Sequence, residues 1–393
     1  MLRSLRELDV VEKRVLVRVD YNVPLKDGRV ADDTRLRESL PTVEHLLQKH
    51  AKIILVSHLG RPQGKVVPEL RLDPVTHLLS ELIKRPVMKL EDCVGPSVQQ
   101  AVFQMNPGEV ILLENVRFYA QEEANDEDFA RELARLADCY VNDAFGTAHR
   151  AHASTYGVAK FLPSAAGLLL EREVTMLSRA TQDPQRPFLA IVGGAKLTDK
   201  IGVLKDLIGK VDAFLIGGGV AFTLLRAQGA HVGNSLADEK MLEEAHQCLH
   251  KAHEHGTEMV LPSDVQIARE APRGIEQSRA LAREIPDGWQ GWDIGPETIK
   301  AFKEHIKTAK TIVWAGPLGR FEKPPFDAGT CEVARAIAES SAFAIIGGGD
   351  TAAALHHGVL RNAKNIHFST GGGATLEFLG GRKLLPIEIL RKP

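Results

Sequence analysis

The sequence predicts an α/β protein of two domains, each a parallel sheet flanked by helices. Short apolar, β-branched runs recur from end to end, most of them apolar on both faces, as strands buried between two helical layers are. Amphipathic stretches with helical spacing separate these runs. The 393 residues, at roughly 150 per domain, allow two or three domains with cores that need no disulfide staples.

Taken in order, the first half offers strands at Arg14–Asp20 (RVLVRVD), Lys52–His58 (KIILVSH), Val110–Phe118 and Cys139–Ala144. A helix is predicted over Asp126–Cys139, where Phe129, Leu133, Leu136 and Ala137 fall at i, i+4, i+7 and i+8 behind an acidic first turn. Gly167–Gln182 reads as another helix, stopped by Asp183-Pro184-Gln185-Arg186-Pro187 because proline cannot continue it. The second half offers strands at Phe188–Gly194, Ala213–Gly219, Glu258–Pro262, Thr311–Pro317, Ala342–Gly349 and Ile366–Thr370. Strands of the first half end in Asp, His and Arg, whereas those of the second end in glycine clusters. The boundary therefore falls at the 167–182 helix, a rigid connector, with domains over 1–166 and from 183 on.

A composition of 44% hydrophobic and 25% charged residues excludes a largely disordered or collagen-like chain. Forty-nine Lys plus Arg against 51 Asp plus Glu leave a formal charge of -2, so no global field draws the protein to nucleic acid or an anionic membrane. Any anion must be caught locally. Cys93, Cys139, Cys248 and Cys331 form neither a CxxC pair nor a Cys/His metal spacing and read as reduced, buried thiols. The first residues carry no apolar signal core, and no run approaches the roughly 18 apolar residues of a membrane span, so a cytoplasmic protein is expected.

Open α/β sheets bind ligands beyond the carboxyl ends of their strands. In the first half those positions carry Asp20 and Asn22 (RVDYNVP), His58 and Arg61 (SHLGRP), Arg117 (ENVRF) and Arg150 (NDAFGTAHRAHAST), with Arg35 in the DDTR segment. Each arginine alone reads more readily as an ordinary surface residue in a salt bridge worth little. Together at parallel strand ends they point to a small, multiply anionic ligand gripped by guanidinium groups. His149 and His152 lack a metal-binding spacing and read as hydrogen-bonding histidines.

In the second half GGAKLTDKI (193–201), GGGVAFT (217–223), GGGDTAAALHH (347–357) and STGGGATLEF (369–378) follow strands and lead toward helices, whose exposed amides would face an anion. Lys196 and Lys200, four apart, are expected on one helix face with a phosphate between them, or else as two solvated lysines. Asp350 reads as a helix N-cap, as an oxygen ligand for Mg²⁺ on a nucleotide, or as both. No GxGxxG occurs, which removes the main support for a nicotinamide dehydrogenase. Gly209-Lys210 followed by Val211 is not a P-loop.

With these motifs in this order, the chain resembles the phosphoglycerate kinase family from about Asp20 to Gly381: RVDYNVP, SHLGRP, ENVRF, NDAFGTAHRAHAS, GGAKLTDKIGVL, DIGPET, TIVWAGPLGRFE, GGGDT and STGGGATLEFL. The resemblance implies two Rossmann-like domains joined by a helical hinge, the first (1–166) for phosphoglycerate and the second (183–379) for nucleotide, with a tail (380–393) returning to the first. It implies reversible phosphoryl transfer between 1,3-bisphosphoglycerate and Mg-ADP by a cytoplasmic monomer of glycolysis. Asp20, Tyr21, Asn22, Arg35, His58, Leu59, Gly60, Arg61, Arg117 and Arg150 would hold phosphoglycerate. Gly194, Ala195, Lys196, Lys200, Gly291, Glu322, Gly348, Gly349, Asp350 and Thr351 would hold the nucleotide, with Asp350 on Mg²⁺. Arg35, Lys196, Lys200, Gly347 and Gly371 would act in transfer. The chain departs from the family at Ala315, where Asn is usual, at Tyr119 (His), at Arg320 (apolar) and at Gly380 (Glu). A binding protein that kept the fold but lost catalysis is the alternative suggested by Ala315.

Overall fold

A computed structural model of the chain describes residues 1–272, 274–348, 351, 355, 360 and 363–392. It contains two compact units, Met1–Thr175 with the segment from Lys383 on, and Met176–Arg382. The division falls inside a helix at Leu168–Thr181.

The first unit is built on six strands: β1 (Arg14–Arg18), β2 (Lys52–Val56), β3 (Val87–Lys89), β4 (Val110–Leu112), β5 (Cys139–Asn142) and β6 (Ser164–Ala166). They run in the order β3-β4-β2-β1-β5-β6, every pair parallel. Successive side chains point to opposite faces, and both faces are covered. Val15, Val17, Ile53 and Leu55 join one core cluster, while Leu16, Ile54, Val56 and Tyr140 join the other. Burial on both sides is why these strands read as continuous apolar runs, and each such side chain stabilises the fold by roughly 1.5–3 kcal/mol.

The expected helix after Asp126 is shorter than its periodicity suggested, Glu127–Ala134, with the Asp126 carboxylate accepting the Phe129 amide at 2.9 Å as its N-cap. Leu136 and Ala137 remain buried, but from the turn that follows. The expected strand to Phe118 stops at Leu112; a short 3₁₀ turn, Val116–Phe118, is capped by Asn115 and carries Arg117. At the outer edge Ser4 pairs in parallel with Ala166, and Leu2 bridges Arg391.

The second unit holds β7 (Phe188–Val192), β8 (Ala213–Ile216), β9 (Glu258–Val260), β10 (Asp264–Ala271), β11 (Gly274–Leu281), β12 (Gln290–Ile294), β13 (Thr311–Ala315), β14 (Phe343–Gly347) and β15 (Ile366–Ser369). Its main sheet is all parallel, in the order β9-β8-β7-β13-β14-β15. Counted within the unit this is 3-2-1-4-5-6, the doubly wound order of dinucleotide-binding folds. An antiparallel sheet, β11-β10-β12, lies outside it. No helix among the described residues is long and apolar enough to cross a membrane.

Candidate active site

In both sheets the winding direction reverses once, which opens a crevice beyond the strand ends at that point. In the first unit the reversal lies between β1 and β5, whose ends lead into Asp20–Asn22 and into the segment carrying Arg150. In the second it lies between β7 and β13, whose ends lead into Gly193–Lys196 and Gly316–Gly319.

Around the first reversal the polar groups interlock. Asp20 takes the Arg35 guanidinium at 2.6 Å on Oδ2 and the Asn22 amide at 3.3 Å on Oδ1. Asn22 Oδ1 accepts the Gly60 amide at 2.9 Å, and Arg117 Nη1 donates to the Gly60 carbonyl at 2.8 Å. Arg150 Nε donates to His149 Nε2 at 3.0 Å. Arg61 is exposed. Tyr21 and Leu59 turn their side chains into the core: the Tyr21 hydroxyl meets Ser39 Oγ at 3.0 Å, and Leu59 is 1% exposed.

His58 is nearly fully buried and is held well below the ordinary histidine value by that burial, then by Arg18, Arg117, Arg35 and Arg150. Burial, then Arg117, likewise pushes His152 down to about 4. At neutral pH the positive charge around this reversal therefore resides on guanidinium groups, and its histidines are neutral. Such a site holds a polyanion by charge and supplies uncharged donors beside it.

In the second unit a cavity of about 370 Å³ opens at the reversal, lined by Gly194, Ala195, Phe222, Gly291, Trp292 and Glu322 among others. That is the size of a small-molecule pocket. The backbones after β7 and β13 touch: the Gly194 amide donates to the Pro317 carbonyl at 2.8 Å, and a Cβ on Gly193 would collide with that carbonyl. Glycine is required here for close packing of the two turns. A Cβ on Gly291 would run into the Phe222 ring, so glycine sets the width of the pocket.

A second hollow shares Ala195 and Leu236 with this cavity and is lined by Lys196, Thr198 and Asp199. Lys196 and Lys200 do not share a helix face. Leu197 is buried, its carbonyl takes the amides of Lys200 and Ile201 at 2.8 Å, and the helix starts only at Ile201 with Lys200 as its N-cap residue. Lys196 stands exposed just before that turn.

Thr351 is buried, and its hydroxyl accepts the Gly316 amide at 2.8 Å, which ties it to the end of β13. Gly347 ends β14 and Gly348 follows it. The Gly371 amide donates to Ser369 Oγ at 3.2 Å, ahead of a helix at Gly373–Leu379. Gly349 and Asp350 lie outside the described residues. Among those described, no group of three His, Cys, Asp or Glu is placed to hold a metal. Sequence reasoning missed Arg18, Glu122 and Ser154, which form a buried network behind His58. Arg18 is a charge inside a buried strand, while Glu122 on a short helix and Ser154 on a π-turn sit where polar residues are ordinary, so neither setting marks burial in the sequence.

The phosphoglycerate kinase family model matches residues 5–382. The chain belongs to the phosphoglycerate kinase family. It is 52% identical over 389 residues to the phosphoglycerate kinase of Dictyoglomus turgidum, covering 99% of this chain and 98% of that one. It is 53% identical over 382 residues to that of Moorella thermoacetica, covering 97% of each. The solved phosphoglycerate kinase of Coxiella burnetii superposes with a TM-score of 0.87 at 40% identity over 99% of both chains. That of Pyrococcus horikoshii gives 0.87 at 32% identity, covering 99% of this chain and 98% of the other.

Three of the four departures from the phosphoglycerate kinase pattern, Tyr119, Gly380 and Arg320, have local reasons. Tyr119 donates its hydroxyl to Asp92 at 2.9 Å and stacks on Phe129. A Cβ at Gly380 would press on the Asp206 carboxylate at 2.6 Å. Arg320 lies 4.3 Å over the Trp292 ring on the cavity wall. Ala315 ends β13 between Val192 and Gly347, buried at the reversal; nothing in the structure explains why it replaces Asn.

Proposed function

We propose that the chain transfers a phosphoryl group reversibly between 1,3-bisphosphoglycerate and Mg-ADP, giving 3-phosphoglycerate and Mg-ATP. The observation that carries this reading is the pair of unlike half-sites in a chain of this family: guanidinium groups with neutral histidines at one sheet reversal, and a nucleoside-sized cavity at the other. Asp20, Asn22, Arg35, His58, Arg61, Arg117 and Arg150, with the backbone of Tyr21, Leu59 and Gly60, take phosphoglycerate. Gly194, Ala195, Gly291, Glu322, Gly348, Gly349 and Thr351 take the nucleotide. Mg²⁺ arrives with the nucleotide as part of that substrate, and Asp350 is assigned to it.

The acceptor carboxylate of 3-phosphoglycerate is already ionised, so no general base is required. Catalysis consists of in-line alignment and positive charge around the transferring group, from Arg35, Lys196 and Lys200 with the amides at Gly347 and Gly371. The reacting oxygens must come within roughly 3.5 Å and exclude water, so the Leu168–Thr181 helix is assigned a hinge role. Four free cysteines, three of them buried, support a reducing, cytoplasmic setting, and we assign the protein as a monomer. A coupled assay with 3-phosphoglycerate and MgATP tests the reaction. Turnover is expected, and its absence in folded protein would refute the assignment.

A further inference from the structure

We propose that Arg18 is a positioning residue for the phosphoglycerate half-site: it fixes His58 as the neutral tautomer protonated on Nε2, so the ring offers the anion a donor and never a lone pair. This rests on the assignment of His58 to that half-site.

Arg18 closes β1 on the same face as Leu16 and is 1% exposed. A guanidinium so deeply buried needs acceptors in several directions. Nε donates to Ser154 Oγ at 2.8 Å, Nη1 donates to the Val19 carbonyl, and Nη2 meets His58 Nδ1 at 3.1 Å. Guanidinium nitrogens carry donors only and stay charged at any accessible pH. His58 Nδ1 must therefore hold a lone pair. The ring proton sits on Nε2, and an imidazolium would set two donors face to face inside the core.

The arginine is itself held in place. Ser154 Oγ, having accepted from Arg18, donates to Glu122 Oε1 at 2.6 Å, while the Ser154 amide donates to Oε2 at 2.9 Å. Glu122 is thus the counter-charge, relayed through one hydroxyl. The four side chains come from β1, the segment after β2, the helix Ala120–Glu123 and the π-turn Ala153–Gly157, and all are buried. No single rotamer change relieves a reversed proton, since each partner is fixed by the next. The charges facing His58 are the guanidinium groups of Arg18, Arg117, Arg35 and Arg150, which together with burial oppose a second ring proton.

The test begins with the wild-type full chain, free of substrate. Long-range ¹H–¹⁵N spectra are recorded at about pH 7 and about pH 5.5, with the His58 signals assigned by their loss in His58→Gln. An unprotonated Nδ1 and a protonated Nε2 at both pH values are expected; a proton on Nδ1, as tautomer or imidazolium, overturns the proposal. Arg18→Met should then release the tautomer and raise the KM for 3-phosphoglycerate about tenfold, the loss of one charge-assisted hydrogen bond, while the KM for MgATP stays put. Arg18→Lys, which keeps a donor, should restore most of it. An unchanged phosphoglycerate KM in folded Arg18→Met would remove the positioning role. Should Arg18→Met fail to fold, the wild-type spectra and Arg18→Lys decide. Turnover of the wild type, measured on the same sample, tests the functional reading separately.

Discussion

Asp143→Asn should flatten the pH dependence of stability. Asp143 follows β5, is fully buried, and accepts the amides of Leu169 and Leu170 on Oδ1 at 2.9 and 3.2 Å, which caps the Leu168–Thr181 helix. Burial pushes its carboxyl from 3.8 up to about 7, against the pull of the Thr42 hydroxyl and the two amides. Because the folded value lies above the unfolded one, the folded chain keeps a proton that the unfolded chain releases. The contribution is full below about pH 4 and is lost as pH rises to about 7. A displacement of that size sets a ceiling of about 4 kcal/mol on the contribution. Asparagine keeps both accepted bonds and cannot ionise. Urea unfolding of wild type and variant at about pH 4.5 and about pH 8 gives the comparison, in which contributions of other groups cancel. The variant should gain at least about 1 kcal/mol relative to wild type between the two pH values. Parallel curves would refute the reasoning.

Ala315→Asn adds an amide beside the nucleotide half-site and should lower the KM for MgATP about three- to tenfold, with the KM for 3-phosphoglycerate unchanged in steady-state assays. Turnover appearing only in that variant would favour a chain that had lost catalysis. Lys196→Ala should cut kcat about 10²-fold or more while calorimetry shows phosphoglycerate binding intact; a near-normal kcat removes Lys196 from the transition state. Gly291→Ala puts a methyl where the Phe222 ring stands and disrupts that wall of the cavity, so ADP affinity measured by calorimetry should fall about tenfold or more with no change in phosphoglycerate binding.

The strands of both parallel sheets were legible where burial covered both faces, as at β1, β2, β7 and β13. The short edge strand β3, the Ser-Ala-Ala strand β6 and the antiparallel sheet β11-β10-β12 were missed, because short, exposed or only half-buried strands have no unbroken apolar run to announce them. The positions beyond the strand ends were legible for a geometric reason: strands of a parallel sheet that run the same way end on one side, so the residues after the runs gather along one edge. Side-chain direction was less accessible. Nothing in RVDYNVP distinguishes Asp20, which meets Arg35, from Tyr21, which turns into the core. The Lys196 and Lys200 spacing suggested a helix because four is a helical interval, yet Leu197 anchors a turn there instead.

The outer edge of the first sheet is finished late. Arg3 donates its amide to the Leu390 carbonyl at 2.8 Å and offers its own carbonyl to Ala166, so residues from both ends of the numbering complete one edge. During synthesis β6 and residues 2–4 are in place long before residue 390 leaves the ribosome, and the whole second unit is made in between. For that interval the edge presents unsatisfied backbone groups to any other nascent chain. A chain cut after Arg382 would make the interval permanent: it keeps all six strands, and its expected failure is self-association, seen as concentration-dependent sedimentation, before any loss of secondary structure.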